Sequence, residues 1–120
     1  MQAKLTDARQ MLPLTPAVFH VLLALAGEDR HGYAIMRHVT ATTDGQTKMG
    51  PGTLYGTIKR LLAARLVEES DERPDPELDD ERRRYYRLTS FGRRVLEAEV
   101  WRYSRTLKVA RASGITRKFA

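Results

Sequence analysis

The chain has 120 residues, 42% of them hydrophobic and 30% charged, with a formal net charge of +6 and no cysteine. That size and balance fit one compact domain, which either buries a modest core or completes it with a second subunit, and the missing cysteines exclude disulfides and thiolate metal sites. No stretch reaches the apolar length of a membrane span, and "MQAKLTDARQM" lacks the apolar centre of a secretory signal, so a soluble cytoplasmic protein is expected.

In chain order, the first helix signal is "LTPAVFHVLLALAGED". Thr15 is placed to cap it, Pro16 suits the first helical position, and Gly27 marks the exit. Val18, Phe19, Val21, Leu22, Leu23 and Leu25 surround most of its circumference, whereas a surface helix needs only one apolar stripe. Contact with both the chain's own core and another subunit is therefore expected, with Val18 and Leu22 at the subunit contact. "RHGYAIMRHVTATT" reads as a second helix, with Ala34, Ile35 and Val39 inward and Tyr33, Arg37 and Thr40 outward. Asp44 and Gly45 then supply a turn.

In "KMGPGTLYGTIKRLLAARLVEES" the glycines and proline shape an entry, and the chain is expected to be helical from Thr53. Leu54, Ile58, Leu61 and Leu62 recur on one face, which leaves Thr53, Tyr55, Gly56, Thr57, Lys59 and Arg60 for the others. "LVEES" and "RRRYYRLT" have the character of two strands around a polar loop. A two-stranded hairpin is marginal alone, so it must lie on the helices through Leu66, Leu88 and one of Tyr85 or Tyr86. "TSFGRRVLEAEVWRYSRTLKVARAS" reads as a long helix capped by Thr89 or Ser90 and released near Gly114. On it Leu96, Val100, Tyr103, Leu107 and Ala110 are spaced four, three, four, three, the seam of a coiled-coil-like dimer contact.

Charge along this chain is uneven. Residues 68–81, "EESDERPDPELDDE", hold nine of the fifteen acids and one of the twenty-one basic residues, so the rest carries twenty basic against six acidic residues, or +14. A basic body with one acidic excursion favours a polyanionic partner, nucleic acid ahead of membrane surface; a solvated surface is the plainer alternative.

Three helices followed by a hairpin, with a turn between the second and third helices, is the order of a winged helix-turn-helix. The expected fold is mainly α with a small β-hairpin: a winged helix-turn-helix over 12–89 and a dimerisation helix over 90–113, with flexible segments at 1–11 and 114–120. "HGYAIMRHV", "PGTLYGTIKRLLAARLVEE" and "RRYYRLTSFGRRVL", in this order, resemble the PadR family of transcriptional regulators over nearly the whole chain from about residue 12. The single C-terminal helix resembles the short-chain branch of that family.

The residues support a matching site. Lys59 and Arg60, on a helix with Thr53, Tyr55 and Thr57, offer phosphate charge and groups able to reach base edges, and Gly56 lets a backbone approach closely. Tyr55 could instead pack on the second helix. Tyr33 resembles the family's tyrosine at the start of that helix, where it reaches phosphate or packs under the turn. Arg82, Arg83 and Arg84 form the returning arm of the wing, with Arg82 and Arg84 on one face and Arg83 on the other. Asp75, Glu77, Asp79 and Asp80 at the tip would repel a duplex, so the tip points outward or its acids neutralise the arginines.

In PadR-like dimers the first and last helices pair, and some members enclose an apolar space for aromatic effectors. Trp101 and Tyr103 could stack on such a ligand, although core or seam packing is the commoner role of an aromatic stripe. Of the three histidines, His31 and His38 could share a helix face at seven residues apart, but no third ligand stands at suitable spacing, and neither a phosphate loop nor a nucleophile beside a base is apparent, so no metal, cofactor or enzymatic activity is expected. The expected function is a homodimeric, sequence-specific regulator of double-stranded DNA, most simply a repressor of a pseudo-palindromic operator. The alternative is a small-molecule-sensing or protein-interaction adaptor that keeps this fold without reading DNA.

Overall fold

The structure, a computed structural model, describes residues 8–71 and 84–115. Its elements are α1 (Pro16–Ala24), β1 (Arg30–His31), α2 (Gly32–Thr42), α3 (Pro51–Ala63), β2 (Val67–Ser70), β3 (Tyr85–Leu88) and α4 (Ser90–Ala112). The helices begin where their caps place them. Thr15 Oγ1 accepts from the Val18 N–H with Pro16 just inside α1, and Thr89 Oγ1 accepts from the Gly92 N–H at the head of α4. Gly114, with a φ of 73°, releases α4.

Two starts differ from expectation. α3 begins at Pro51 rather than Thr53, because Gly50 adopts the extended N-cap conformation and Pro51 takes the first helical position. Arg30 and His31, expected in the second helix, form a strand instead. Arg30 pairs with Tyr86 and His31 with Tyr85, and the His31 Nδ1 then accepts from the Ala34 N–H at 3.1 Å to cap α2. The hairpin is therefore part of a three-stranded antiparallel sheet in the order β1-β3-β2, with Val67 opposite Leu88 and Ser70 opposite Tyr85. This places β3 in the centre. Both Tyr85 and Tyr86 are buried, since the His31 ring meets the Tyr85 ring edge-on at 5.3 Å and covers the side that alternation would have exposed.

The core gathers Val21 and Leu22 of α1, Ile35 and Val39 of α2, Leu54, Ile58 and Leu61 of α3, then Leu66, Val95 and Leu96. Each such side chain contributes about 1.5–3 kcal/mol relative to exposure. Arg65, at a φ of 61°, turns the chain from α3 into the sheet. Beyond it the Leu66 carbonyl lies so close to Gly92 that a β-carbon there would overlap it, which seats the head of α4 on the exit of α3.

Residue 8 onward is anchored rather than free. Residues 8–10 are helical, and Ala8 is buried in the core with Met11 packed against it. Glu99 of α4, 0% exposed, accepts the Leu14 N–H at 2.8 Å and two hydrogen bonds from the Arg102 guanidinium. Arg102 and the Leu14 N–H hold this carboxyl below its ordinary range, outweighing the opposite effect of burial. A buried charge thus ties the segment before α1 to the last helix. Among the described residues no helix is long and apolar enough to cross a membrane.

Candidate nucleic-acid interface

α3 turns its buried side, Leu54, Thr57, Ile58 and Leu61, into the core. At 3.6 residues per turn, the direction opposite these four falls on Gly52, Gly56, Lys59 and Ala63. Three of the four have almost no side chain, so the outward side of α3 is a low ridge. A β-carbon at Gly52 or Gly56 would meet nothing within 4 Å. Tyr55 and Lys59 flank the ridge on one side, Thr53 and Arg60 on the other, and all four are exposed.

Thr57 does not belong to this surface. It is 1% exposed, its hydroxyl donates to the Thr53 carbonyl at 2.9 Å, and it accepts from the Arg60 guanidinium at 3.3 Å. Its hydroxyl is satisfied by its own helix, so the β-branched side chain can fill the core edge. The expectation that it faces a partner is corrected accordingly. Through that contact it steadies Arg60.

Tyr55 packs on the second helix and keeps an exposed side. Its ring rests on the first residue of α2, where a β-carbon at Gly32 would come within 2.8 Å of the Tyr55 Cζ, yet it remains 49% exposed. The pair locks the angle between α2 and α3 while leaving an edge of the ring outward. On α2, Tyr33 stacks on His31 with centroids 6.5 Å apart, and the Arg37 guanidinium sits 5.8 Å from the Tyr33 centroid. Arg37 was not among the expected site residues, nor were Gly52 and Ala63. Arg37 lies one helical turn after Tyr33, and the ridge residues follow a spacing of four, three, four on the side opposite the leucines. Reading the polar side of each helix with the same periodicity as the apolar side would have found them. Burial, and then the Arg30 guanidinium, lower the pKa of His38 against the opposing Glu28.

In the sheet, Arg84 bonds Glu69 at 3.0 Å and Arg87 bonds Glu68 at 2.9 Å. Glu68 and Arg87 are direct cross-strand partners. Among the described residues, Arg84 and Arg87 are thus paired with the glutamates of "LVEES". Burial, then Glu69, raises the pKa of Tyr86 beside these pairs. Arg82, Arg83 and the acids Asp75, Glu77, Asp79 and Asp80 lie outside the described residues.

The expected subunit seam divides. Leu22 and Leu96 are buried in the chain's own core, so neither is offered to a partner. The helix wheel shows a shared face but not where that face leaves the domain, and α4 does so after Glu99. Val18 is half-buried, Val100, Tyr103 and Leu107 are exposed, and Ala110 is half-buried. Tyr103 meets Phe19 of α1 edge-on at 5.0 Å, so the apolar face runs from one helix to the other. Trp101, two residues from Tyr103, lies on the opposite side of α4 and is 66% exposed. The two aromatics therefore do not form a stacking pair within one protomer. Among the described residues, no group of three or more His, Asp or Glu is placed to hold a metal ion.

Comparison with known proteins gives this geometry its context. The Transcriptional regulator PadR-like family matches residues 21–98, from α1 into α4. An uncharacterized 37.1 kDa transposon protein of Streptomyces fradiae is 39% identical over 79 residues, 66% of this chain but 20% of the relative, so the chain spans one fifth of that protein's length. A PadR family transcription regulator of Clostridium difficile superimposes with a TM-score of 0.65 at 23% identity, covering 82% of this chain and 97% of the other, a likeness of fold. RosR of H. salinarum superimposes with a TM-score of 0.60 at 28% identity, covering 82% of this chain and 78% of its own. The family that matches is one of transcriptional regulators. With 78 of its 120 residues matched by the family, the chain belongs to the PadR-like family of transcriptional regulators.

Proposed function

We propose that the chain works as a homodimeric repressor that inserts α3 of each protomer into successive major grooves of a pseudo-palindromic operator. The low ridge of Gly52, Gly56 and Ala63 between Lys59 and Arg60 carries this reading, because a helix backbone stripped of bulk can enter deeply while the flanking cations meet phosphate. Thr53 and Tyr55 stand closest to base edges, and Tyr33 with Arg37 suits the adjacent phosphates. Arg84, with Arg82 and Arg83, would follow the backbone along the wing.

Pairing of two protomers through Val18, Val100, Tyr103, Leu107 and Ala110 would set the half-sites about 34 Å apart, one turn of DNA. Repression would follow from overlap with polymerase at the promoter. A small aromatic effector would release the operator only by binding the DNA-incompetent dimer more tightly.

The test is binding to duplex from upstream of the chain's own gene against random duplex, across salt. The upstream duplex should bind at least tenfold more tightly. Lys59→Ala should weaken both and reduce the slope of log K against log salt by about 1 per protomer. Equal affinity for the two duplexes would refute sequence-specific regulation and favour the adaptor reading.

A further inference from the structure

Trp101 stands between two clefts that the DNA reading does not use. One, of about 540 Å³, lies between α4 and the segment before α1 and is lined by Arg9, Leu12, Trp101, Arg105 and Val109 among others. The second, of about 460 Å³, continues along α4 past Trp101, Arg105, Lys108 and Val109. Trp101, Arg105 and Val109 border both, so the indole and one guanidinium sit at their junction. Leu12 and Val109 supply an apolar floor.

Three cations surround this floor. Arg9, Arg105 and Lys108 are exposed, and their side chains have no ion-pair or hydrogen-bond partner among the described residues. Arg105 and Lys108 are helical neighbours at i and i+3, with β-carbons about 5–6 Å apart, and Arg9 approaches from the other wall. Arg102, also at the edge, is already held by Glu99. An exposed indole calls for a flat aromatic group. Three unpaired cations call for more negative charge than one carboxylate carries. We propose that this site binds a free nucleoside di- or triphosphate, its base stacked on Trp101 and its phosphates on Arg105, Lys108 and Arg9. The volume suits a ligand of that size. The dimer seam proposed above uses the Tyr103 side of α4 and leaves this side open, and nucleotide binding does not depend on the DNA reading.

Trp101 is the chain's single tryptophan, so its fluorescence reports on this site alone. Titration of the full chain with ATP should give saturable quenching. Adenosine, which stacks but lacks phosphate, should bind at least tenfold more weakly, and tripolyphosphate should compete with ATP without quenching. The double variant Arg105→Ala, Lys108→Ala should lose at least tenfold in ATP affinity by calorimetry with its unfolding midpoint unchanged, whereas Arg93→Ala should bind as the parent does. Quenching that does not saturate, adenosine binding as well as ATP, an unaffected double variant, or binding of a thymidine oligonucleotide without binding of ATP would each overturn the proposal.

Discussion

Gly56 sits on the outward ridge of α3 with nothing within 4 Å of where a β-carbon would stand. A mid-helix glycine costs about 0.5–1 kcal/mol relative to alanine, so a chain that keeps one there forgoes stability for a low surface. Gly56→Ala should raise the stability of the free protein by about that amount in urea unfolding while weakening operator binding; a variant that gained stability and kept full affinity would show that the backbone need not approach DNA. Thr57 illustrates the opposite situation. Its hydroxyl suggests a partner-facing residue, but a threonine can bond its own helix at i−4 and turn its methyl inward, and residue type alone does not separate the two. Leu22 and Leu96 are buried rather than offered to a partner for a related reason, since an apolar residue on a broad apolar face can meet its own core or a neighbour.

At the scale of elements, the wing carries its own counter-charges. If the wing lies along a duplex as proposed, phosphate would have to compete with Glu69 for Arg84 and with Glu68 for Arg87, and β2 would tune how strongly β3 holds it. Exposed pairs of this kind add only about 0–1 kcal/mol to folding, so their removal should leave the fold intact. Glu69→Gln, alone or with Glu68→Gln, should tighten binding to random duplex by about 2- to 5-fold at low salt, an effect of about 0.4–1 kcal/mol that fades as salt rises; unchanged affinity would show that the pairs do not bear on DNA. Strand β1 is the element that the sequence concealed. Two residues carry no periodicity of their own, and Arg30 and His31 become a strand only because Tyr85 and Tyr86 arrive from more than fifty residues away to pair with them.

For the whole molecule, charge and closure are separate matters. Residues 90–120 hold eight of the 21 basic and two of the 15 acidic residues, which is the entire net charge of +6, so the winged unit before them is neutral overall. On the proposed reading, attraction to DNA would therefore draw on the local patches of α2 and α3 rather than on a charged winged domain. Closure rests on Glu99. Its carboxyl titrates below its ordinary value in the folded chain, so its stabilisation is present above the unfolded pKa and is lost as pH falls toward the depressed folded one. Glu99→Gln should cost about 1.5–3 kcal/mol near neutral pH, and the gap to the parent should close on acidification, as followed by unfolding midpoints across pH. A gap constant with pH would show that the charge itself is not what holds Leu14. Leu107→Glu should leave unfolding nearly unchanged, because the residue is exposed in the protomer, but convert a dimer to monomer by sedimentation; a parent chain already monomeric at micromolar concentration would remove the proposed seam.

Local chemistry in the sequence by itself determined the helices α1, α3 and α4, the caps of α1 and α4, and the two longer strands. Thr15, Pro16, Thr89 and the four-three spacing of the leucines act over one or two turns and need no distant partner. Tertiary structure alone decided which faces remain open. The third strand, the burial of Thr57, Leu22 and Leu96, the low ridge of α3 and the separation of Trp101 from Tyr103 depend on what packs over each side chain. Burial is a property of pairs of elements, and a helical period shows which residues share a face without showing what that face will meet.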